Sequence, residues 1–561
     1  MGDWTLAIGG SEHDASAALM RGLDIRVAIE QERLSRRKHG VAHWYESPIQ
    51  RAVEYCLASE GISLKDVSRV VASDSVPARI YRELSGLDVR TYHHHLCHAA
   101  SAAMMLPPGN VAGVLVYDGY GSIRGPVPGT TLRNLRETFS FFIFGPQGYE
   151  CLGTTLGLAY IEPDEFPIGV TNSIGTFYEQ VTGMLGYDLM ESGKTMGLSA
   201  YGVPRHLETL ERFIRYSDDP SNCFYCAADD PALTVTIEEI LSKGRGSFRT
   251  RADLAASVQA LIHKTLLHCL QFFQGRPIDC LCISGGCGLN TVANGFLVEH
   301  STLNVPIFIP PHCGDAGLGL GALWLDEFHR TGAPPRLTFS GGPLMPGLSR
   351  PGRLYSCAER REAVLEFYPR LVFDGTVTSA SDLARVLAGG QIVGVFNGRS
   401  EIGPRALGGR SILASPRDPM VRERINRIIK GREPFQPLAP MILASEYEEY
   451  FLDARRADTF MLKIAVARER CRREAPAIVH VDGTARVQVI DEDGDPFLVE
   501  LLRAFRRETN CAVLLNTSFN RRGEPIVESP RDAIDAFLAM ALDGLYLDGE
   551  FYRQDSISAP R

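Results

Sequence analysis

The chain has 561 residues, more than one hydrophobic core organises, so two or more domains are expected. Hydrophobic residues make up 45% and charged residues 22%, a globular composition, and no apolar run reaches the roughly 18 residues of a membrane helix. The net charge of −9 offers no general attraction to a polyanion, and the thirteen cysteines form no tight framework, so reduced thiols in the cytoplasm are expected.

The opening Trp4-Thr-Leu-Ala-Ile-Gly-Gly reads as a strand running into a glycine turn, and Ile25-Arg-Val-Ala-Ile-Glu as another strand. A strand, a Gly-Gly turn and a helix recur at Asp279-Cys-Leu-Cys-Ile-Ser-Gly-Gly-Cys-Gly-Leu-Asn-Thr-Val-Ala-Asn. That recurrence predicts a two-lobed α/β domain with its site in a cleft, over residues 1–350. Breaker-rich sequence between about 330 and 360, including Ser340-Gly-Gly-Pro-Leu-Met-Pro-Gly, marks the boundary. A second domain over 360–561 is expected to hold strands at Ile392-Val-Gly-Val-Phe, Ala485-Arg-Val-Gln-Val-Ile and Ala512-Val-Leu-Leu. Cys223-Phe-Tyr-Cys226 has no second pair nearby, so a structural zinc is not expected there.

His93-His-His-Leu-Cys-His reads as the start of a helix, on which His94 and His98, four apart, project from one face. Asp118, ending the apolar strand Val114-Leu-Val-Tyr, and Asp315, in a glycine-rich loop, can complete a metal site. Two imidazoles and two carboxylates suit iron(II), manganese or zinc better than calcium or magnesium. The spacing is equally compatible with a polar helix face and two turn aspartates.

Between Arg399 and Arg432 nine basic residues face three acidic ones. Arg422 and Arg424 read as a solvated helix face, whereas Arg399 and Arg405 flank the turn Glu401-Ile-Gly-Pro-Arg, where guanidinium forks suit phosphate oxygens. Leu514-Leu-Asn-Thr-Ser-Phe-Asn offers small polar side chains in a loop after a buried strand, and no Walker lysine motif is present.

Ordered motifs along nearly the whole chain resemble the O-carbamoyltransferase family of antibiotic-tailoring enzymes and NodU-type nodulation proteins. They are Glu12-His-Asp-Ala-Ser, Gln31-Glu-Arg-Leu-Ser-Arg-Arg-Lys-His, His94-His-Leu-Cys-His, Asp118-Gly, Ser192-Gly-Lys-Thr-Met-Gly, Ser284-Gly-Gly-Cys-Gly-Leu-Asn and Gly314-Asp-Ala-Gly. Gly398-Arg-Ser-Glu-Ile-Gly-Pro-Arg-Ala-Leu-Gly-Gly-Arg-Ser, Lys430-Gly-Arg-Glu, His480-Val-Asp-Gly-Thr-Ala-Arg and Asn516-Thr-Ser-Phe-Asn complete the set. The resemblance implies an actin-like ATPase fold carrying a metal in the N-terminal domain, and a threonylcarbamoyl-adenylate-synthase-like (YrdC-like) C-terminal domain. The second would make carbamoyl-adenylate from carbamoyl phosphate and ATP with magnesium. The intermediate would pass inside the protein to the first domain, where an acceptor hydroxyl takes the carbamoyl group. A mixed anhydride of that kind needs shelter from water.

The resemblance further implies roles. His13 would be the base for the hydroxyl and Lys38 would meet the adenylate phosphate from the N-terminal side. His94, His98, Asp118 and Asp315 would hold the metal, which acts as a Lewis acid. Arg405, Lys430, Arg432 and Arg486 would hold carbamoyl phosphate and the ATP phosphates, assisted by Asn516 and Ser518. Gln436 stands where family members often carry arginine, which alters the charge at that point. The stretch 121–131 departs from the family and is a candidate for the acceptor pocket. The acceptor class expected is a secondary metabolite, as in antibiotic tailoring, with a nodulation-factor-type oligosaccharide as the alternative. Transfer of threonylcarbamoyl to tRNA is disfavoured by the net charge. Hydrogenase-maturation relatives usually carry paired zinc fingers, which one Cys-x-x-Cys does not supply. A non-catalytic, ATP-responsive binding protein would leave the second domain's basic motifs unexplained.

Overall fold

A computed structural model describes residues 3–11, 13–40, 49–77, 84, 87–124, 135–160, 169–188, 190–226 and 230–555. Glu12 and the greater part of the acceptor-pocket candidate, 125–131, lie outside the described residues. The chain is α/β, the class expected from its sequence. It divides into two compact units, one of Met1–Ile25 with Ser63–Thr338 and one of Arg26–Ile62 with Phe339–Arg561. The division falls at 338/339, within the breaker-rich span of about 330–360, and the segment 26–62, assigned from sequence to the first domain, groups with the second unit.

The first unit contains two sheets built to one plan. In one, Trp4–Gly9 pairs antiparallel with Ser16–Arg21 and parallel with Val67–Ser73, which pairs parallel with Asp88–Tyr92. In the other, Ala112–Tyr117 pairs antiparallel with Leu135–Gly145 and parallel with Cys280–Ser284, which pairs parallel with Ile307–Phe308. Trp4–Gly9 and Ala112–Tyr117 are buried along their whole length, which is why both read as continuous apolar runs. The helix His94–Ala103 lies against the helix Leu318–Thr331. Their close approach requires Gly321, where a Cβ would stand 1.9 Å from the Cys97 carbonyl oxygen.

The second unit is organised on an eight-stranded mixed sheet. Its order is Leu371–Phe373, Glu550–Gln554, Gly544–Leu547, Val393–Phe396, Arg410–Ala414, Leu514–Ser518, Ala439–Leu443, Gln488–Ile490. The helices Ala380–Ala388 and Pro496–Thr509 bury Leu383, Leu387, Leu498, Leu501 and Phe505 in its core. Two expectations are corrected here. The strand expected over 485–490 is interrupted: Thr484–Ala485 pairs with Ala465–Val466, while Gln488–Ile490 pairs with Met441–Leu443, leaving Arg486 and Val487 between the two. The polar run 516–518 is not a loop, because Asn516, Thr517 and Ser518 pair with Arg410–Ala414 as part of the strand. Among the described residues no helix is long and apolar enough to cross a membrane.

Candidate functional site

In the first unit the chain brings His94, His98, Asp118 and Asp315 to one point, their ligand atoms all within 4.8 Å of one another. The fold dictates this meeting. The two histidines occupy the first turns of His94–Ala103, Asp118 follows the end of Ala112–Tyr117, and Asp315 opens the turn leading into Leu318–Thr331. Ala112–Tyr117 and Cys280–Ser284 run parallel and in register to Val116↔Ser284, so the Gly-Gly turn after Ser284 sits beside Asp118. Gly285 is indispensable there: its φ is +93° and a Cβ would stand 2.3 Å from the Tyr117 carbonyl oxygen. The amides of Gly119 and Gly286 donate to Asp118 Oδ1 at 2.7 and 3.2 Å, which turns Oδ2 toward the imidazoles.

His94 Nε2 lies 3.1 Å from Asp118 Oδ2 and 3.5 Å from Asp315 Oδ1, and His98 Nε2 lies 3.3 and 3.4 Å from the same atoms. The two Nε2 atoms are 3.0 Å apart. Ligands about 2.0–2.2 Å from a shared ion stand roughly 3.0–3.5 Å from one another, from octahedral to tetrahedral geometry. All five separations fall in that window, and all four side chains are buried, so the donor set fits a divalent transition metal. Electrostatics agrees. Burial lowers the basicity of His94, but Asp315 and Asp118 outweigh it and raise its pKa to about 10. Burial alone would raise the Asp118 and Asp315 carboxyls; the two imidazoles instead hold both below the ordinary carboxylate range. Four converging groups bound together by opposite charge are what a cation would replace.

His13 belongs to the same unit, and its Nδ1 donates to Asp14 Oδ2 at 3.0 Å. Burial lowers its pKa, and the Asp14 hydrogen bond with the charges of Asp315, Asp14 and Asp118 carries it up to about 9. Facing these carboxylates, His13 is therefore a cation.

In the second unit, a cationic cluster gathers around Lys430. Lys430 is buried, and its three N–H bonds are shared among four neutral oxygens: Ser518 O at 2.5 Å, Ser518 Oγ at 3.1 Å, Asn520 O at 3.1 Å and Asn520 Oδ1 at 2.7 Å. Burial, then Arg432, then Lys38 drive its pKa well down, which places Lys38 with this cluster in the second unit. Lys38 itself is exposed, in the turn Lys38–Gly40. Arg432 Nε donates to Asn426 Oδ1 at 2.8 Å, and burial brings its pKa down to about 10. Arg486 is pushed down by burial, Arg405 and Arg432, and its buried Nε has no partner among the described residues. Asn516 is fully buried and donates to Ala406 O at 3.1 Å and to Gln488 Oε1 at 2.7 Å, so its amide holds the Arg405 loop. Gln436 lies beside this cluster, its carbonyl accepting from Asn426 Nδ2 at 2.9 Å.

Arg422 and Arg424 are not a solvated face. Arg422 clamps the carbonyls of Pro476, Ala477 and Val479, and Arg424 pairs with Asp543. Arg399 donates to Gly352 O at 2.7 Å and reads as structural. Sequence reasoning missed the residues that shape the Arg405 loop. Glu401, 1% exposed, accepts from the amides of Leu407, Gly409 and Arg410 at 2.7, 2.7 and 3.0 Å. Gln488 donates to Leu407 O at 2.9 Å. The buried Glu30–Arg33 pair clamps Gly403 from both sides, through its amide and its carbonyl oxygen. Their signal was available, since Glu401 and Arg33 lie inside two of the motifs.

The chain belongs to the carbamoyltransferase family. The family's model of the carbamoyltransferase N-terminus matches residues 79–323, and that of the carbamoyltransferase C-terminus matches residues 384–554. Nodulation protein NolNO of Sinorhizobium fredii is 30% identical over 97% of this chain and 80% of its own length. Nodulation protein U of the same species is 32% identical over 98% of both chains. Nodulation protein NolO of Bradyrhizobium diazoefficiens is 35% identical over 67% of this chain and 68% of its own.

Proposed function

We propose that this chain is an ATP-dependent O-carbamoyltransferase. Its second unit, a YrdC-like fold in this reading, converts carbamoyl phosphate and ATP into carbamoyl-adenylate, releasing inorganic phosphate from the former and pyrophosphate from the latter. Its first unit, an actin-like fold, transfers the carbamoyl group to a small-molecule hydroxyl. The observation that carries the reading is the cluster of buried Lys430 with half-buried Arg405, Arg432 and Arg486, in which, among the described residues, Lys430 is bonded only to neutral oxygens and the buried Arg486 Nε has no partner. Such a cluster is costly unless an anion enters it, and guanidinium forks with one ammonium suit phosphate oxygens. Asn516 and Ser518 complete its floor, and Lys38 adds charge at its rim.

In the first unit His94, His98, Asp118 and Asp315 would hold iron(II), manganese or zinc. When bound, that ion supplies Lewis acidity and neutralises the two carboxylates. His13 would take the hydroxyl proton, with Asp14 orienting its ring, while the hydroxyl oxygen bonds to the carbamoyl carbon and AMP leaves with the electron pair of the broken carbon–oxygen bond. Two acceptor classes remain in the reading, a secondary-metabolite scaffold and a nodulation-factor-type oligosaccharide, and the names of the relatives favour the second. The test is an acceptor-free assay with carbamoyl phosphate, ATP and magnesium, following pyrophosphate. Release that requires carbamoyl phosphate and collapses in Arg405→Ala and Lys430→Ala supports adenylation; release independent of carbamoyl phosphate defeats it.

A further inference from the structure

The two imidazoles of the cradle are not supported alike. His98 Nδ1 is buried with no hydrogen-bond partner among the described residues. His94 Nδ1 instead lies 2.8 Å from Ser75 Oγ, on the turn that follows the strand Val67–Ser73. That hydroxyl has two further neighbours, Ser73 Oγ at 2.7 Å and the Gly10 carbonyl oxygen at 3.3 Å. A carbonyl only accepts, so a Ser75 proton turned toward Gly10 leaves the hydroxyl oxygen to accept Nδ1–H from His94. This arrangement keeps a proton on Nδ1 and leaves Nε2, 3.1 Å from Asp118 Oδ2 and 3.0 Å from His98 Nε2, as the nitrogen that ligates once a cation displaces its proton.

The same hydroxyl reaches the loop that bears His13. Gly10, with φ +105°, gives its carbonyl oxygen to Ser75 and its amide to Asp315 O at 3.0 Å. Ser16 Oγ closes the far end of the loop on Ala316 O at 2.7 Å, and His13 lies between these anchors. We infer that Ser75 is a positioning residue of the metal seat: its hydroxyl fixes the tautomer of His94 that ligates through Nε2 and ties the His13 loop to that ligand. The inference rests on the cradle being a metal seat. Groups that orient a metal-bound imidazole commonly change affinity by about 10–100-fold when removed.

The test strips the full chain with chelator and titrates it with cobalt(II), a spectroscopic stand-in for iron(II) or zinc, by calorimetry and visible absorption. Wild type should bind one equivalent, Ser75→Ala should bind about 10–100-fold more weakly with an altered cobalt band, and Ser75→Thr, which keeps the hydroxyl, should stay within about threefold of wild type. Ser75→Ala within twofold of wild type with an unchanged band overturns the role of Ser75 while leaving the metal reading intact. Equal weakening in Ser75→Ala and Ser75→Thr also overturns it, by taking the effect away from the hydroxyl. Absence of cobalt binding by wild type overturns the metal reading itself.

Discussion

Replacing Glu401 by glutamine tests whether the Arg405 loop is held by one buried carboxylate. Oε1 of Glu401 accepts three backbone N–H bonds, and the charges of Arg350 and Arg410 lie close by. Hydrogen bonds to a charged acceptor are worth about 1.5–3 kcal/mol each and neutral ones about 0.5–1.5, so Glu401→Gln should lose roughly 1 kcal/mol per bond. Three bonds, discounted for non-additivity, give about 2–3 kcal/mol, or a fall of several degrees in the melting of the second unit. The loop would also loosen around Arg405, so KM for carbamoyl phosphate in pyrophosphate release should rise by about tenfold or more below the melting range. The sign with pH follows. Burial would raise the Glu401 carboxyl, but the two arginines and the backbone amides leave it lowered. Its contribution is therefore full above the unfolded value of about 4.3 and is lost as pH falls through the lower folded value. The stability gap between wild type and Glu401→Gln should accordingly close in acid. An unfolding free energy within about 0.5 kcal/mol of wild type at neutral pH, with KM within twofold, would refute the argument.

Arg486→Ala should abolish carbamoyl-phosphate-dependent pyrophosphate release yet leave the ligand-free chain as stable as wild type or more so, since it deletes a cation among cations; calorimetric melting without ligand reads this. Carbamoyl phosphate affinity should fall as pH rises through the depressed pKa of Lys430, with a proton taken up on binding at the upper end, seen by titration calorimetry in buffers of different ionisation heat. Chelator treatment and His98→Ala should both spare acceptor-free pyrophosphate release while ending transfer to a hydroxyl, because the metal donors all belong to the first unit.

Much of this was legible in the sequence because it is carried by local geometry. His94 and His98 share a helix face by spacing alone, and Asp118 announces itself as the polar end of an apolar strand. What spacing cannot say is that Asp315, 197 residues after Asp118, meets them; that follows from the parallel pairing of Ala112–Tyr117 with Cys280–Ser284 and of the latter with Ile307–Phe308. The charge excess between Arg399 and Arg432 was visible too, but its division was not. Arg422 and Arg424 look like Arg432 in a list of basic residues, and only tertiary partners such as Pro476 and Asp543 separate clamps from site. Segment 26–62 was misassigned because a chain that leaves one unit and returns leaves no compositional mark. Ser75 carries no sequence signal at all, since a serine after a strand is ordinary turn chemistry.

The two candidate centres have opposite electrical deficits, and this bears on the rival reading in which the acceptor is tRNA. The first unit gathers two carboxylates and two imidazoles that want a cation; the second gathers an ammonium and guanidiniums that want an anion. Both deficits are local, so the net charge of −9 is silent about either. The cations that would meet phosphate are withdrawn from the surface: Lys430 is 5% exposed and Arg432 and Arg486 are partly covered. Binding along a polyanion needs exposed lysine and arginine that release counterions over many phosphates. A covered cluster of this kind instead selects a compact phosphate that can shed its water and enter, which is the property of a small phosphorylated donor and of a nucleotide triphosphate.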